Sequence, residues 1–310
     1  MSDLPNPLLT IPAGTQVVAR VAVRDAAGVE LAPAGVVGVV VAVPEQVEGG
    51  AYIVRLPAGR EVALRRDELS IRKAQQREGV LPAAPAPDDL RPFIIYRCVI
   101  GSRAYGLDDD TSDTDRRGFY LPPARLHWSL AGLPEQIEDH TAQETYWELE
   151  KFLRLALKAN PNMLECLYTP LVEHATPLAE ELRSMRDRFL SKQLYQTYNG
   201  YVLSQFRRIE QDLRTHGAVR NKHAMHLIRL LLSGIIALRE GTIPVRVSEH
   251  RTQLLAIKRG ELSWAEVNAW RMALHQAFDA AYAVSALPEQ PDSAAIDAFL
   301  TRARRSMVEA

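Results

Sequence analysis

A chain of 310 residues can bury a sizeable core and has room for more than one domain. Its 37 basic and 38 acidic residues give a formal net charge of -1, so no global basic field marks a nucleic-acid partner and only a local groove is left for one. No apolar run reaches membrane-spanning length and the N-terminus has no basic segment leading into an apolar stretch, so a soluble cytoplasmic protein without membrane contact is expected.

The first predicted elements are strands. Runs at 17–23, 36–43, 51–56 and 60–64 are short and β-like, and the turn segments DAAG, PEQVEGG and LPAGR break them. Short strands with glycine turns at this spacing predict a five-stranded, SH3-like β-barrel over residues 1–74. Arg65, Arg66, Arg72 and Lys73 give it a modestly basic end, read either as a phosphate contact or as the solvated rim of a structural or dimerising module. Residues 75–91, with LPAAPAPDDLRP, alternate proline and alanine and carry few packing residues, which predicts an exposed, semi-stiff linker.

Pro92 to Ile100 form the first predicted core strand, followed at once by GSRAYGLDDDTSDTD at 101–115. Gly101 to Gly106 read as a compact turn entering a short helix, and Asp113 to Leu121 as the next strand. On an extended segment Asp113 and Asp115 share one face, where two carboxylates repel unless a hard cation such as Mg²⁺ lies between them. The Gly-Ser turn offers backbone N–H groups and a hydroxyl to an oxyanion. Together these make a metal–triphosphate site. Asp108 to Asp110 read as a loop tip. Cys98 and Cys166, the only cysteines, lie in apolar segments and read as buried thiols.

GSRAYG, then SDTD and RRG, resembles the nucleotidyltransferase fold of the DNA polymerase beta superfamily, and more narrowly a bacterial and phage group of predicted nucleotidyltransferases. Further matching text is YWELEKF at 146–152, LALKANPNMLECLY at 155–168 and NKHAMHLIRLLLSG at 221–234, so the resemblance covers about residues 93–260. It implies an α+β protein: a polymerase-beta-like core over 92–170, a helical substrate-binding domain over 171–310, and the small barrel ahead of both. It implies Asp113 and Asp115 as catalytic metal ligands for Mg²⁺ (or Mn²⁺), with an NTP, ATP first, as substrate. A third carboxylate completes such sites, and Glu144 is the first choice, Asp139 the second. The usual aspartate on a clean apolar strand is missing here. Gly101 and Ser102 would hold the β/γ-phosphates, with Arg103 inside the phosphate turn and Tyr105 either stacking on a base or packing against the turn. Arg116 reads as a salt-bridge partner, Arg117 as a neutraliser of the acidic strand, and Gly118 as relief from crowding near bound nucleotide. Neither a GK[ST] loop nor a protein-kinase signature is present.

An amphipathic helix is predicted from Trp147 to Ala159, and Pro161 starts a new turn. Asn160, Pro161 and Glu165 are site-supporting by the resemblance, since a carboxylate in an apolar run is rarely buried unpaired. Beyond Ala175 helices are predicted at 178–190, 193–214, 220–239, 264–284 and 292–306, a mostly antiparallel bundle. Lys222, His226 and Arg229, spaced four and three apart, share one helical face, and with the resemblance they take a phosphate or substrate role. Lys192, Tyr198, Gln205 and Arg208 form a weaker second set. The chain thus reads as a nucleotidyltransferase that moves a nucleoside monophosphate to an RNA end, a protein or a small molecule. The competing reading is a catalytically inactive, antitoxin-like binding protein that kept the fold.

Overall fold

The computed structural model describes residues 10–24, 28–44, 50–57, 59–72, 84–110 and 112–308. Two compact units, Met1–Ala83 and Ala84–Ala310, make up the chain. Lys73 and positions 75–83 of the expected linker lie outside the described residues.

In the first unit β1 (Gln16–Ala19), β2 (Val23–Arg24), β3 (Glu30–Ala32), β4 (Val37–Ala42), β5 (Ala51–Arg55), β6 (Glu61–Arg65) and β7 (Leu69–Ile71) follow one another. Alternation sets the inner face: Tyr52 and Val54 of β5 are buried, while Ala51 and Arg55 face solvent. They pack with Val17, Val40, Leu64 and Leu69 in a small core. Five of the strands form one sheet, in the order β6-β5-β4-β1-β7, with β2 and β3 as a separate ribbon, and among the described residues no strand pairing closes that sheet on itself. A 3-10 turn at Arg66–Glu68 carries the chain from β6 straight into β7, which pairs with β1, so β6 and β7 end on opposite edges among the described residues. The basic end is partly engaged: Arg66 donates to the Leu69 carbonyl and Arg72 to Gln16.

The second unit is built on β8 (Ile94–Ile100), β9 (Asp115–Tyr120), β10 (Gln136–Asp139), β11 (Glu144–Glu148) and β12 (Val172–Ala175), ordered β10-β11-β9-β8-β12. Only β11 and β9 run parallel. Register divides the side chains between two faces. Tyr96, Cys98 and Ile100 share a face with Phe119, Arg117 and Asp115, while Arg97 and Val99 share the other with Gly118 and Arg116. The first face carries the main core, where Tyr96 stacks on Phe119 at 5.0 Å and Phe119 meets Phe152 at 4.6 Å. Both cysteines are buried free thiols. Gly118 serves this sheet rather than a ligand: a Cβ there would stand 1.9 Å from the Tyr96 carbonyl oxygen.

The main core continues unbroken from the sheet into the helices. Leu149–Leu157 buries Leu149, Phe152, Leu153 and Ala156, the apolar stripe read from the sequence, and Glu148 caps it by accepting from the Glu150 and Lys151 amides. Asn160 caps Pro161–Tyr168. Helices follow at Pro177–Ser184, Gln193–His216, Asn221–Glu240, Arg251–Arg259, Trp264–Ala283 and Ser293–Ser306. Arg251–Arg259 was not anticipated. Nor was the short helix Pro87–Leu90, whose Leu90 is fully buried. Asn221–Glu240 is the central helix, packed against Gln193–His216, Arg251–Arg259 and Trp264–Ala283. Among the described residues no helix is long and apolar enough to cross a membrane.

Candidate nucleotide and metal site

β8 ends at Ile100, opposite Asp115 at the start of β9. The chain then turns at Gly101, with φ +75°, into the short helix Gly101–Tyr105. A Cβ at Gly101 would stand 2.6 Å from Asp115 Oδ2, so this carboxylate lies directly against the Gly-Ser turn. Arg103 reaches across from the turn: its Nη2 donates to the Ser112 carbonyl at 2.7 Å and its Nε to the Asp113 carbonyl at 3.3 Å. Arg103 is therefore a clip joining the GSRAYG and SDTD segments. The strand starts at Asp115, not Asp113, and Asp113 sits exposed just ahead of it. Arg117 lies 3.4 Å from Asp115 Oδ1 and also donates to the Gln143 carbonyl, as a neutralising neighbour would. The Ser102 hydroxyl makes no hydrogen bond among the described residues, so its donor is available to a ligand.

Glu144 does not join this group. It registers with Arg116, which places it on the sheet face opposite Asp115; Thr145 is the β11 residue on the Asp115 side. Its carboxylate accepts from Arg91 Nη1 at 3.0 Å, and the same guanidinium takes Asp139 at 2.8 Å and Asp88 at 3.1 Å. Asp139 also accepts from the Thr141 and Ala142 amides, and those backbone bonds, with Arg91, hold its carboxyl below the usual range. Both candidates for the third carboxylate are thus spent on one arginine. Arg116, on that face too, pairs with Glu173 at 2.9 Å. Among the described residues no three His, Cys, Asp or Glu side chains converge as metal ligands. Asp113 and Asp115 are carboxylates of the hard, oxygen-donor kind that a divalent cation takes.

Tyr105 is a core residue. Its hydroxyl donates to Glu165 Oε2 at 2.5 Å, and Arg229 lies 3.7 Å over its ring while donating to Glu165 Oε1 at 2.6 Å. Glu165 is 1% and Arg229 6% exposed, so this trio sits beneath the turn, away from solvent. Burial, chiefly, drives the Tyr105 phenol well above its ordinary pKa. Arg229 is accordingly a buried counter-ion, not a free phosphate ligand. On the same helix face His226 is half-buried, and burial with neighbouring Arg229 and Lys222 pushes its pKa down to about 3, so it is neutral. Lys222 is exposed and has no acidic partner among the described residues. The weaker set is scattered: Lys192 pairs with Glu289, and Tyr198 is buried.

Three groups that sequence reasoning passed over hold the loop after the turn. The Val247 amide donates to the Tyr105 carbonyl at 3.0 Å, Arg251 to that of Gly106 at 2.7 Å and Lys258 to that of Leu107 at 2.9 Å. Lys258 also pairs with Asp109 at 2.6 Å. No local motif marks these residues, which come from the short helix Arg251–Arg259 and the segment before it.

The chain is also similar to known proteins. The sequence of "Uncharacterized protein YcgL" of Bacillus subtilis (strain 168) is 32% identical over 155 residues, covering 49% of this chain and 58% of that protein. "Uncharacterized protein MJ0002" of Methanocaldococcus jannaschii is 24% identical over 164 residues, covering 51% of this chain and 65% of that protein. The chain therefore spans less than two thirds of either relative. The family model described as "RNA repair pathway DNA polymerase beta family" (RlaP) matches residues 65–302, and the chain belongs to that family.

Proposed function

We propose that this protein is a Mg²⁺-dependent nucleotidyltransferase that moves a nucleoside monophosphate, from ATP first, to a hydroxyl at an RNA end. The observation that carries this reading is the Asp115 carboxylate against Gly101, with Arg103 tying the SDTD segment to the same turn. Ser102 and the turn amides would bind the β/γ-phosphates. Asp113 and Asp115 would hold the cation, which when bound offsets charge on the triphosphate and the pyrophosphate that leaves. The acceptor oxygen attacks the α-phosphorus, forming a new P–O ester while the α–β anhydride bond breaks. The hydroxyl proton leaves to solvent water. The family's place in RNA repair supports RNA over a protein or a small molecule as acceptor.

The test supplies each labelled NTP with Mg²⁺ or Mn²⁺ and an RNA pool, and follows pyrophosphate and labelled RNA. Asp113→Asn and Asp115→Asn should each lower transfer by at least 100-fold, on the order of 3 kcal/mol of transition-state stabilisation, with an unchanged melting temperature. Persistent transfer in both variants would refute the metal assignment.

One observation favours a second reading, nucleotide binding without transfer. Glu144 and Asp139 are both engaged by Arg91 on the far face of the sheet. Mg²⁺-dependent NTP binding without pyrophosphate release, for every acceptor class offered, would select it.

A further inference from the structure

A groove that takes no part in the site above runs between the Leu149–Leu157 and Ser293–Ser306 helices. Its larger end encloses about 960 Å³ and its smaller end about 540 Å³, and Arg154 and Arg304 line both. The larger end opens beside Trp128, just beyond the C-terminal end of β9. Asp115 begins that strand, which is itself roughly 17 Å long at the usual rise per residue.

Two features of the larger end point to a ligand. Trp128 is 71% exposed, an indole held at the rim rather than spent on the core. The walls carry five basic side chains, Lys151, Arg154, Lys158, Arg304 and Arg305, against Glu135, Glu148 and Glu150, in a chain whose overall balance is -1. Glu135 pairs with Lys151 at 2.6 Å, and Glu150 pairs with Arg154 at 2.7 Å and Arg304 at 2.6 Å. Lys158 and Arg305 have no acidic partner among the described residues. The smaller end adds Asp297, so the cationic character belongs to the Trp128 end.

We propose that this end binds a single-stranded RNA segment, with Trp128 stacking on a base and Lys158 and Arg305 meeting phosphates. An aromatic platform beside unpaired cations is what a flexible polyanion with exposed bases requires. Duplex RNA, with its bases stacked inside, has nothing to offer the indole. The proposal rests on the reading of RNA as the acceptor, and it places a docking segment apart from the reacting end.

The experiment measures anisotropy of a fluorescein-labelled 12-nucleotide oligo(U) with the full chain at several salt concentrations. Trp128→Ala should weaken binding about tenfold. Lys158→Gln/Arg305→Gln should reduce the log–log salt slope by about 1.4, two phosphate contacts at roughly 0.7 each. The proposal is overturned if the oligonucleotide does not bind, or if neither groove variant alters binding. Self-association lost in Trp128→Ala would equally overturn it, making the groove a contact between copies. Should Trp128→Ala misfold, the double glutamine variant decides alone. RNA binding that depends on the groove without pyrophosphate release would keep this proposal and remove the transferase reading; the reverse pattern would do the opposite.

Discussion

At Gly101 a single methyl group decides whether the carboxylate stays in place. Its φ of +75° costs an L side chain roughly 1–2 kcal/mol, and the added carbon would press on Asp115 Oδ2. Gly101→Ala should lower stability by about that amount and weaken Mg²⁺-dependent binding of a fluorescent ATP analogue at least tenfold; unchanged binding would detach the turn from the carboxylate. His226 gives a pH signature. Its folded pKa of about 3 lies below the ordinary value of 6.5, so below 6.5 the unfolded chain takes up a proton that the folded chain refuses. Its contribution to stability is therefore full above pH 6.5 and declines as pH falls from there toward 3. His226→Gln should flatten that part of the profile in urea titrations at pH 7 and 5. The approach of Asp115 to the Gly-Ser turn was legible because Gly101 and Asp115 lie 14 positions apart and a glycine marks the bend. Glu144 misled because the deciding contact comes from Arg91, 53 positions away in a segment that reads as linker.

Among the elements, Gly101–Tyr105 is fastened to Pro161–Tyr168 and Asn221–Glu240 through one buried trio. Removing either member of the Glu165–Arg229 pair leaves an uncompensated charge, which typically costs about 3–5 kcal/mol. Arg229→Met should shift the denaturant midpoint accordingly, while Glu165→Leu/Arg229→Met should recover much of the loss, a pattern that a double-mutant cycle reads directly. Additive losses would show that the pair is not coupled. The sequence marked Arg229 as polar on an apolar helix, but hydrophobic periodicity cannot tell an inward arginine with a partner from an outward one. Long helices were legible because their apolar stripes persist for several turns. Arg251–Arg259 was missed because only Leu254 and Ile257 of its nine residues are fully buried.

For the whole molecule, the two units have separate cores, and the family match begins at Arg65, inside the first. A chain starting at Ala84 should retain the main thermal transition and Mg²⁺–NTP binding, since every contact described at the nucleotide site lies within Ala84–Ala310. Loss of binding in a folded fragment would give the first unit a share of that site. Strands β1, β4, β5 and β6 of the first unit were readable from their apolar runs and flanking turns, but β3 and β7, three residues each, are too short to show a pattern.

Val247, Arg251 and Lys258 hold the chain after the turn mainly by its carbonyl oxygens. A hold on main-chain atoms is blind to side-chain identity. Asp108 and Asp110 can therefore be exchanged for other polar residues while the strap keeps its course, whereas proline substitutions that redirect those carbonyls would release it.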